Sequence, residues 1–154
     1  MGDPVEQFVA DLARERTGAL VNQYSGDIEG IDRPGGGAIR CANLVAYLRP
    51  RIGAPLALIG EASSAHGARF SGIAFTAERS LEPDQRTSAI GLRRNGFPEH
   101  SATVLGKALI AAHLDTADVV LWNAVPFHPA REDNQPVLFA LERCKLQTSS
   151  RSRS

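Results

Sequence analysis

Two short apolar runs constrain the fold of this chain more than any other feature. Residues 56–59 read Leu-Ala-Leu-Ile and end at Gly60, and residues 118–122 read Asp-Val-Val-Leu-Trp and end at Asn123. Continuous apolar runs of this length are typical of strands that are buried on both faces, as in a parallel sheet. Each run follows a segment with helical spacing, and this alternation predicts the α/β class with a mainly parallel sheet.

The rest of the chain divides into helices and polar loops. Apolar residues recur at helical spacing over residues 4–22, with Asp3 as N-cap and Pro4 at the first helical position, and again over 41–49 and 101–113. Residues 25–37, which include three consecutive glycines, are predicted to form a surface loop. A further short helix is predicted over 136–145, and the serine–arginine segment 147–154 is predicted to be a disordered tail.

Length and composition predict one globular domain over residues 1–146. The chain has 154 residues, of which 43% are hydrophobic and 22% charged, and no run approaches the roughly 20 apolar residues of a membrane span. Two cysteines exclude a disulfide scaffold and, without a signal-peptide layout, indicate a reducing cytoplasm. Seventeen basic and 17 acidic residues cancel, which argues against a strongly basic nucleic-acid-coating protein but permits a local nucleic-acid site.

The loops after the two strands are the places to look for a site, because ligands of parallel sheets bind beyond the carboxyl ends of the strands. Glu61 directly follows the first strand, where a carboxylate would be partly desolvated; it could equally cap a helix or pair with Arg69. Phe75 is an apolar ring in a polar loop, so it is either a core anchor or a stacking surface. On composition alone, Asn123 is a turn residue at a strand end. No phosphate-binding glycine motif follows the first strand.

Both loops resemble active-site motifs of the uracil-DNA glycosylase superfamily. Residues 58–78 read Leu-Ile-Gly-Glu-Ala-Ser-Ser-Ala-His-Gly-Ala-Arg-Phe-Ser-Gly-Ile-Ala-Phe-Thr-Ala-Glu. They are similar to bacterial members whose motif begins Gly-Glu-Ala-Pro-Gly and continues to Arg-Phe-Ser-Gly-Ile-Pro-Phe-Thr-Ser-Glu. Residues 119–129 read Val-Val-Leu-Trp-Asn-Ala-Val-Pro-Phe-His-Pro and are similar to the family's Leu-Leu-Trp-Asn-Ala-Phe-Pro-Phe-His-Pro. The resemblance covers residues 41–134 and implies a three-layer α/β/α sandwich with a central, mainly parallel sheet.

The resemblance implies a DNA repair enzyme that flips uracil out of DNA and hydrolyses its N-glycosidic bond without metal or cofactor. Phe75 matches the aromatic residue that stacks on the flipped base, and Asn123 matches the asparagine that reads the base. Gly60 and Ala62 match residues that line the pocket through their main chain. Glu61 matches the residue that activates or positions water. The partner of such a protein would be uracil-containing DNA.

Further residues of the two motifs are candidates for contacts with DNA phosphate or with the rim of the pocket: His66, Arg69 and His128. Ser63 and Ser64 stand where the family usually has Pro-Gly. The family's later strands and its His-Pro-Ser motif find no counterpart after Asn134. We therefore expect an incomplete sandwich that lacks the C-terminal part of the family domain.

Three alternatives stay open at this stage. The chain could bind nucleic acid or a nucleobase without catalysis, or it could be a fragment that is stable only as an oligomer covering exposed sheet edges. A metal-dependent hydrolase built on Glu61 and the histidines at 66, 113 and 128 ranks last, because their spacing matches no recognised ligand pattern.

Overall fold

The computed structural model describes residues 2–27, 32–64, 67–81 and 100–129. Within these ranges, single turns of 3₁₀ helix lie at Arg49–Arg51, Glu78–Ser80 and Thr116–Asp118. The α-helices and strands of these ranges follow in the order α1 (Pro4–Arg14), β1 (Leu20–Val21), α2 (Gly36–Leu48), β2 (Leu56–Ala62), α3 (Ala68–Ser71), α4 (His100–Ala111), β3 (Val119–Val125) and β4 (His128–Pro129). The predicted helix over 136–145 and the predicted tail lie outside the described residues.

The two predicted strands exist and pair in parallel as β2 and β3, which confirms the α/β class. Their pairing continues beyond the apolar runs, to the partners Ala62 and Val125. The predicted ends were therefore two to three residues too early, because main-chain pairing proceeds through polar residues that the apolar pattern does not include. This extension places Gly60 directly beside Asn123. A second, antiparallel pair joins β1 to β4.

The prediction that both faces of the first strand are buried is wrong for β2. Ile59 is 59% exposed, and Ala57 and Glu61 on the same face are exposed too, whereas Leu58 and Gly60 on the alternate positions are half-buried. Successive residues of a strand face opposite sides of the sheet. Among the described residues β2 pairs with β3 alone, and one of its faces stays open to solvent.

Helix α1 begins as predicted but ends at Arg14, eight residues before the predicted end. Asp3 accepts a hydrogen bond from the Val5 amide at 2.9 Å, and Pro4 occupies the first turn. The helix stops early because the following segment turns at Gly18, where φ is +62°, and then enters β1. Asn22 completes the helix end by donating to the carbonyl of Leu12 at 2.8 Å.

Helix α2 begins five residues earlier than predicted, inside the glycine run that we expected to cross the surface. Gly36 and Gly37 are buried, and a Cβ atom on Gly37 would lie 2.6 Å from the carbonyl oxygen of Gly26. The Asp27 carboxylate accepts from the amides of Gly35 at 2.8 Å and Gly37 at 3.1 Å. These bonds hold the pKa of Asp27 below its usual range. A remote carboxylate thus caps the helix, and the glycines allow the close packing.

A buried ion pair joins α2 to the segment that precedes it. Arg40 is fully buried, and its guanidinium binds both carboxylate oxygens of Asp32, at 3.0 and 2.5 Å. It also donates to the carbonyls of Gly26, at 3.1 Å, and Gln23. Beside this pair lies an apolar cluster whose buried members are Val5, Val9, Tyr24, Leu44 and Phe127. The ring of Phe8 on α1 lies 5.7 Å from that of Trp122 on β3, which packs against this cluster.

Helix α4 matches its prediction within two residues at each end, but its predicted apolar face is mostly exposed. Of its large apolar side chains only Leu109 is buried, while Val104 and Ile110 are 70% and 76% exposed. No helix in the described ranges is long and apolar enough to cross a membrane.

Candidate functional site

Three residues predicted to bind a base meet at one point of the structure. The β2–β3 register sets Gly60 beside Asn123, and the loop after α3 brings the ring of Phe75 to the same place. A Cβ atom on Gly60 would lie 2.4 Å from Cζ of Phe75 and 2.6 Å from Oδ1 of Asn123. Only glycine leaves enough space here, so the missing side chain is what lets the ring and the amide approach each other.

The side chain of Asn123 is available for binding. The residue is buried, with 6% of its surface exposed, at the face that it shares with Gly60. Among the hydrogen bonds of the described residues, none involves its side-chain amide. Neither amide atom is among the fully buried polar atoms that lack a partner in the described residues, so the amide is accessible, and it offers one acceptor and two donors. It can therefore pair with a ligand that presents a complementary edge.

Phe75 combines an unusual backbone with a half-buried ring. Its φ is +54°, in the left-handed region that bulky residues rarely adopt. The ring touches the Gly60 position on one side and also lines a cavity of about 260 Å³. The other described residues around that cavity are Thr76, Ala77, Arg79, Ser80, Ala102 and Thr103. The ring is therefore a packing contact that also borders an open space, and stacking of a base on it stays a prediction.

Ser63 and Ser64 both take part in structural contacts. The hydroxyl of Ser64 accepts from the amides of Gly67 at 3.1 Å and Ala68 at 3.3 Å, which caps the start of α3. The carbonyl of Ser63 lies 3.2 Å from Nδ1 of His128. Ser64 lies three residues before Gly67, the N-cap residue of α3, so the usual capping pattern would not have indicated this role.

Glu61 differs from its predicted environment. It lies inside β2 and its side chain is exposed, so the expected partial desolvation is not found. Neighbouring strand positions face opposite sides of the sheet, so Glu61 belongs to the open face while Gly60 belongs to the face of Asn123. Within the described part of the chain, Glu61 neither pairs with Arg69 nor caps a helix. Ala62 is half-buried beside Val125.

His128 begins β4 and contacts the segment that directly follows β2. It is buried, its amide donates to Oε1 of Gln23 at 3.1 Å, and its ring contacts the Ser63 carbonyl. Gln23 in turn donates to the carbonyl of Pro126 at 2.7 Å. This network fixes the chain that follows Asn123, and no sequence pattern indicated Gln23. His66 lies outside the described residues.

Arg69 is a half-buried cation without an ion pair among the described residues. Its Nε is buried and has no hydrogen-bond partner, and its guanidinium carbon lies 5.4 Å from the ring centre of Phe70. Burial lowers the pKa of Arg69, and the neighbouring Arg40 lowers it further, against the opposite effect of Asp32. Both oxygens of Asp32 already bind Arg40, so Arg69 retains capacity for an external anion.

In the parts of the chain that the structure describes, no group of three or more histidine, cysteine, aspartate or glutamate side chains is placed to hold a metal ion.

Comparison with known proteins adds no relative to this picture. No protein-family model, no curated protein and no solved structure matches the chain.

Proposed function

We propose that this protein is a DNA repair glycosylase of the uracil-DNA glycosylase type, with uracil-containing DNA as its partner. The observation that carries the proposal is the convergence of Phe75 and Asn123 on Gly60. These residues come from two segments about fifty positions apart, and each resembles a base-binding residue of that superfamily. Their meeting at one point supports a common binding role.

Recognition of uracil follows from the chemistry of the two side chains. Stacking of a base on an aromatic ring contributes about 1–3 kcal/mol, which helps to hold an extruded base at Phe75. The Asn123 amide can accept from N3–H and donate to O4 of uracil together. Cytosine presents the opposite pattern at these two atoms, so its binding would leave buried polar groups unpaired.

In the proposed reaction, water attacks C1′ of the sugar while the bond from C1′ to N1 of uracil breaks. The bonding electron pair leaves with uracil, positive charge grows on the sugar, and the attacking water loses its proton to a base. Glu61 is the residue that we assign to this proton transfer or to the positioning of the water. Its carboxylate would have to reach the sugar around the end of β2.

A second candidate function is binding of a nucleobase in nucleic acid without catalysis. Glu61 is exposed, and it lies on the face of the sheet opposite to the one that carries Asn123. This position specifically favours the non-catalytic alternative. The two candidates share one recognition site and differ only in whether a carboxylate acts on the sugar.

The guanidinium of Arg69, which has no ion pair among the described residues, supports a contact with the DNA backbone. Phosphate is the anion that every DNA ligand supplies, and the planar guanidinium can bind two of its oxygens.

The finer architecture that we propose is the three-layer α/β/α sandwich, supported by the parallel pair and by α1 packing on β3 through Phe8 and Trp122. We propose the reducing cytoplasm as its compartment, on the basis of the two cysteines.

Release of free uracil from single-stranded and duplex oligonucleotides tests the proposal. We expect uracil release by the wild-type chain, loss of release after Glu61→Ala, and loss of discrimination against cytosine after Asn123→Ala. Uracil-selective binding without release would favour the non-catalytic alternative. Full activity after Glu61→Ala would remove that residue from the mechanism, and unchanged discrimination after Asn123→Ala would remove base reading from Asn123.

A further inference from the structure

We propose that Tyr24 and Asn43, the loop anchors, are positioning residues that hold the ring of Phe75 at the base-binding site. The inference rests on the proposed function, because it concerns the ring that would stack on the base. Neither residue lies in the two motifs, residues 58–78 and 119–129, that resemble the glycosylase superfamily.

The loop anchors bind two consecutive carbonyl groups just before Phe75. The hydroxyl of Tyr24 donates to the carbonyl of Gly72 at 2.8 Å, and the side-chain amide of Asn43 donates to that of Ser71 at 3.1 Å. Both anchors are buried. Burial also raises the pKa of Tyr24 well above its usual value, so its hydroxyl remains a neutral donor.

The segment that the anchors hold is conformationally demanding. Gly72 and Phe75 both have positive φ, at +78° and +54°, and such residues persist when surrounding contacts fix them. Gly72 packs so closely on α2 that a Cβ atom there would lie 2.8 Å from the carbonyl oxygen of Arg40. The Ser71 hydroxyl bonds both the amide and the carbonyl of Ile73, at 3.1 and 3.0 Å. The backbone is therefore fixed up to the turn that carries Phe75.

Tyr24 also connects the two halves of the site. Its neighbour Gln23 binds the Pro126 carbonyl and the His128 amide, in the chain that follows Asn123. Two consecutive residues thus hold the Phe75 loop and the end of the Asn123 strand. The distance between ring and amide depends on this connection, and a general role in stability alone would not predict that dependence.

Selectivity of binding tests the inference without catalysis. The probe is a single-stranded oligonucleotide with one 2′-fluoro-2′-deoxyuridine, whose fluorine slows glycosidic cleavage, compared with the same strand carrying 2′-fluoro-2′-deoxycytidine at that position. Loss of one neutral hydrogen bond corresponds to roughly a fivefold effect. Because the stacked ring would hold the base in place against the Asn123 amide that discriminates, we expect Tyr24→Phe and Asn43→Ala each to lower the ratio of the two affinities by about that factor. Tyr47→Phe is the matched control, because its hydroxyl accepts from the Leu121 amide instead; it should leave the ratio unchanged.

A double-mutant cycle shows whether the anchors act through the ring. If they do, Tyr24→Phe has almost no further effect on selectivity once Phe75→Ala has removed the ring. An equal loss in the Phe75→Ala background, or no loss in the wild-type background, would overturn the inference.

Hydrogen exchange of the backbone amides separates local release from general destabilisation. Tyr24→Phe should accelerate exchange at residues 72–76 more than in α1, whereas uniform acceleration would indicate a merely structural residue and overturn the inference. A wild-type chain with no preference for the uridine strand would overturn the proposed function. A selective wild type whose selectivity survives Tyr24→Phe would overturn the positioning role alone.

Discussion

The ring of Phe75 occupies the space that a Cβ atom on Gly60 would need, with Cζ only 2.4 Å from that position. Oδ1 of Asn123 lies 2.6 Å from the same point. One backbone atom without a side chain therefore determines how the proposed stacking ring and the proposed base-reading amide are arranged.

Gly60→Ala should lower the affinity for the 2′-fluoro-2′-deoxyuridine strand by a factor of about ten or more, because the added methyl group must displace Phe75 or Asn123. Gly106→Ala is the matched control, since a Cβ there meets nothing within 4 Å. Within α4 that change should raise the free energy of unfolding by about 0.5–1 kcal/mol. Affinity and urea unfolding measured on both variants check the pair, and tight binding by Gly60→Ala would contradict the assigned geometry.

Arg69→Gln should weaken binding of uracil-containing and uracil-free strands alike. If Arg69 contacts one phosphate, the slope of log affinity against log salt should become shallower by about 0.7 on single-stranded DNA. The control is Arg14→Gln, which changes an exposed residue paired with Asp11 on α1. Titrations between low and moderate salt decide the matter; an unchanged slope would exclude the phosphate contact.

Arg40→Met should lower the free energy of unfolding by about 3–5 kcal/mol, because it leaves the Asp32 carboxylate buried without its partner. Arg14→Gln, which removes an exposed pair, should change it by less than about 1 kcal/mol. Replacing Asp32 and Arg40 together by apolar residues should recover part of the loss. Chemical denaturation provides the comparison, and equal effects of the two single changes would contradict a buried pair.

Asp27 should contribute to the loss of stability in acid. Its folded pKa lies below the unfolded value because the Gly35 and Gly37 amides stabilise the carboxylate. The contribution is therefore present above about pH 4 and is lost as the pH falls through the folded pKa. Unfolding of wild type and Asp27→Asn from pH 7 to pH 2 should show a difference that shrinks below pH 4. A difference that is constant with pH would contradict this origin.

The apolar runs and their alternation with helical segments were sufficient to predict β2, β3 and their parallel pairing, although the apolar residues of β2 pair with β3 without being buried on both faces. The start of α2 could not be predicted in this way, since Asp27 stabilises it from nine residues upstream and glycines usually interrupt helices. The Arg40–Asp32 pair depends on how a loop folds back, which local spacing does not encode.

The sequence was sufficient to predict which residues form the candidate site, but only part of their arrangement. Resemblance indicated Phe75 and Asn123, and the structure brings them together at Gly60. It did not indicate that Glu61 would be exposed on the other face of β2. The roles of Tyr24 and Asn43 depend on contacts across 48 and 28 positions of the chain, which only the folded structure defines.

The contact between Trp122 and Phe8 gives the protein an internal optical reporter. Trp122 is the single tryptophan of the chain, it precedes Asn123 directly, and its ring lies 5.7 Å from Phe8 on α1. Its emission should respond to undocking of α1 during unfolding and to ligands that bind at the next residue. Both folding and occupancy of the site can therefore be followed by intrinsic fluorescence, without any label.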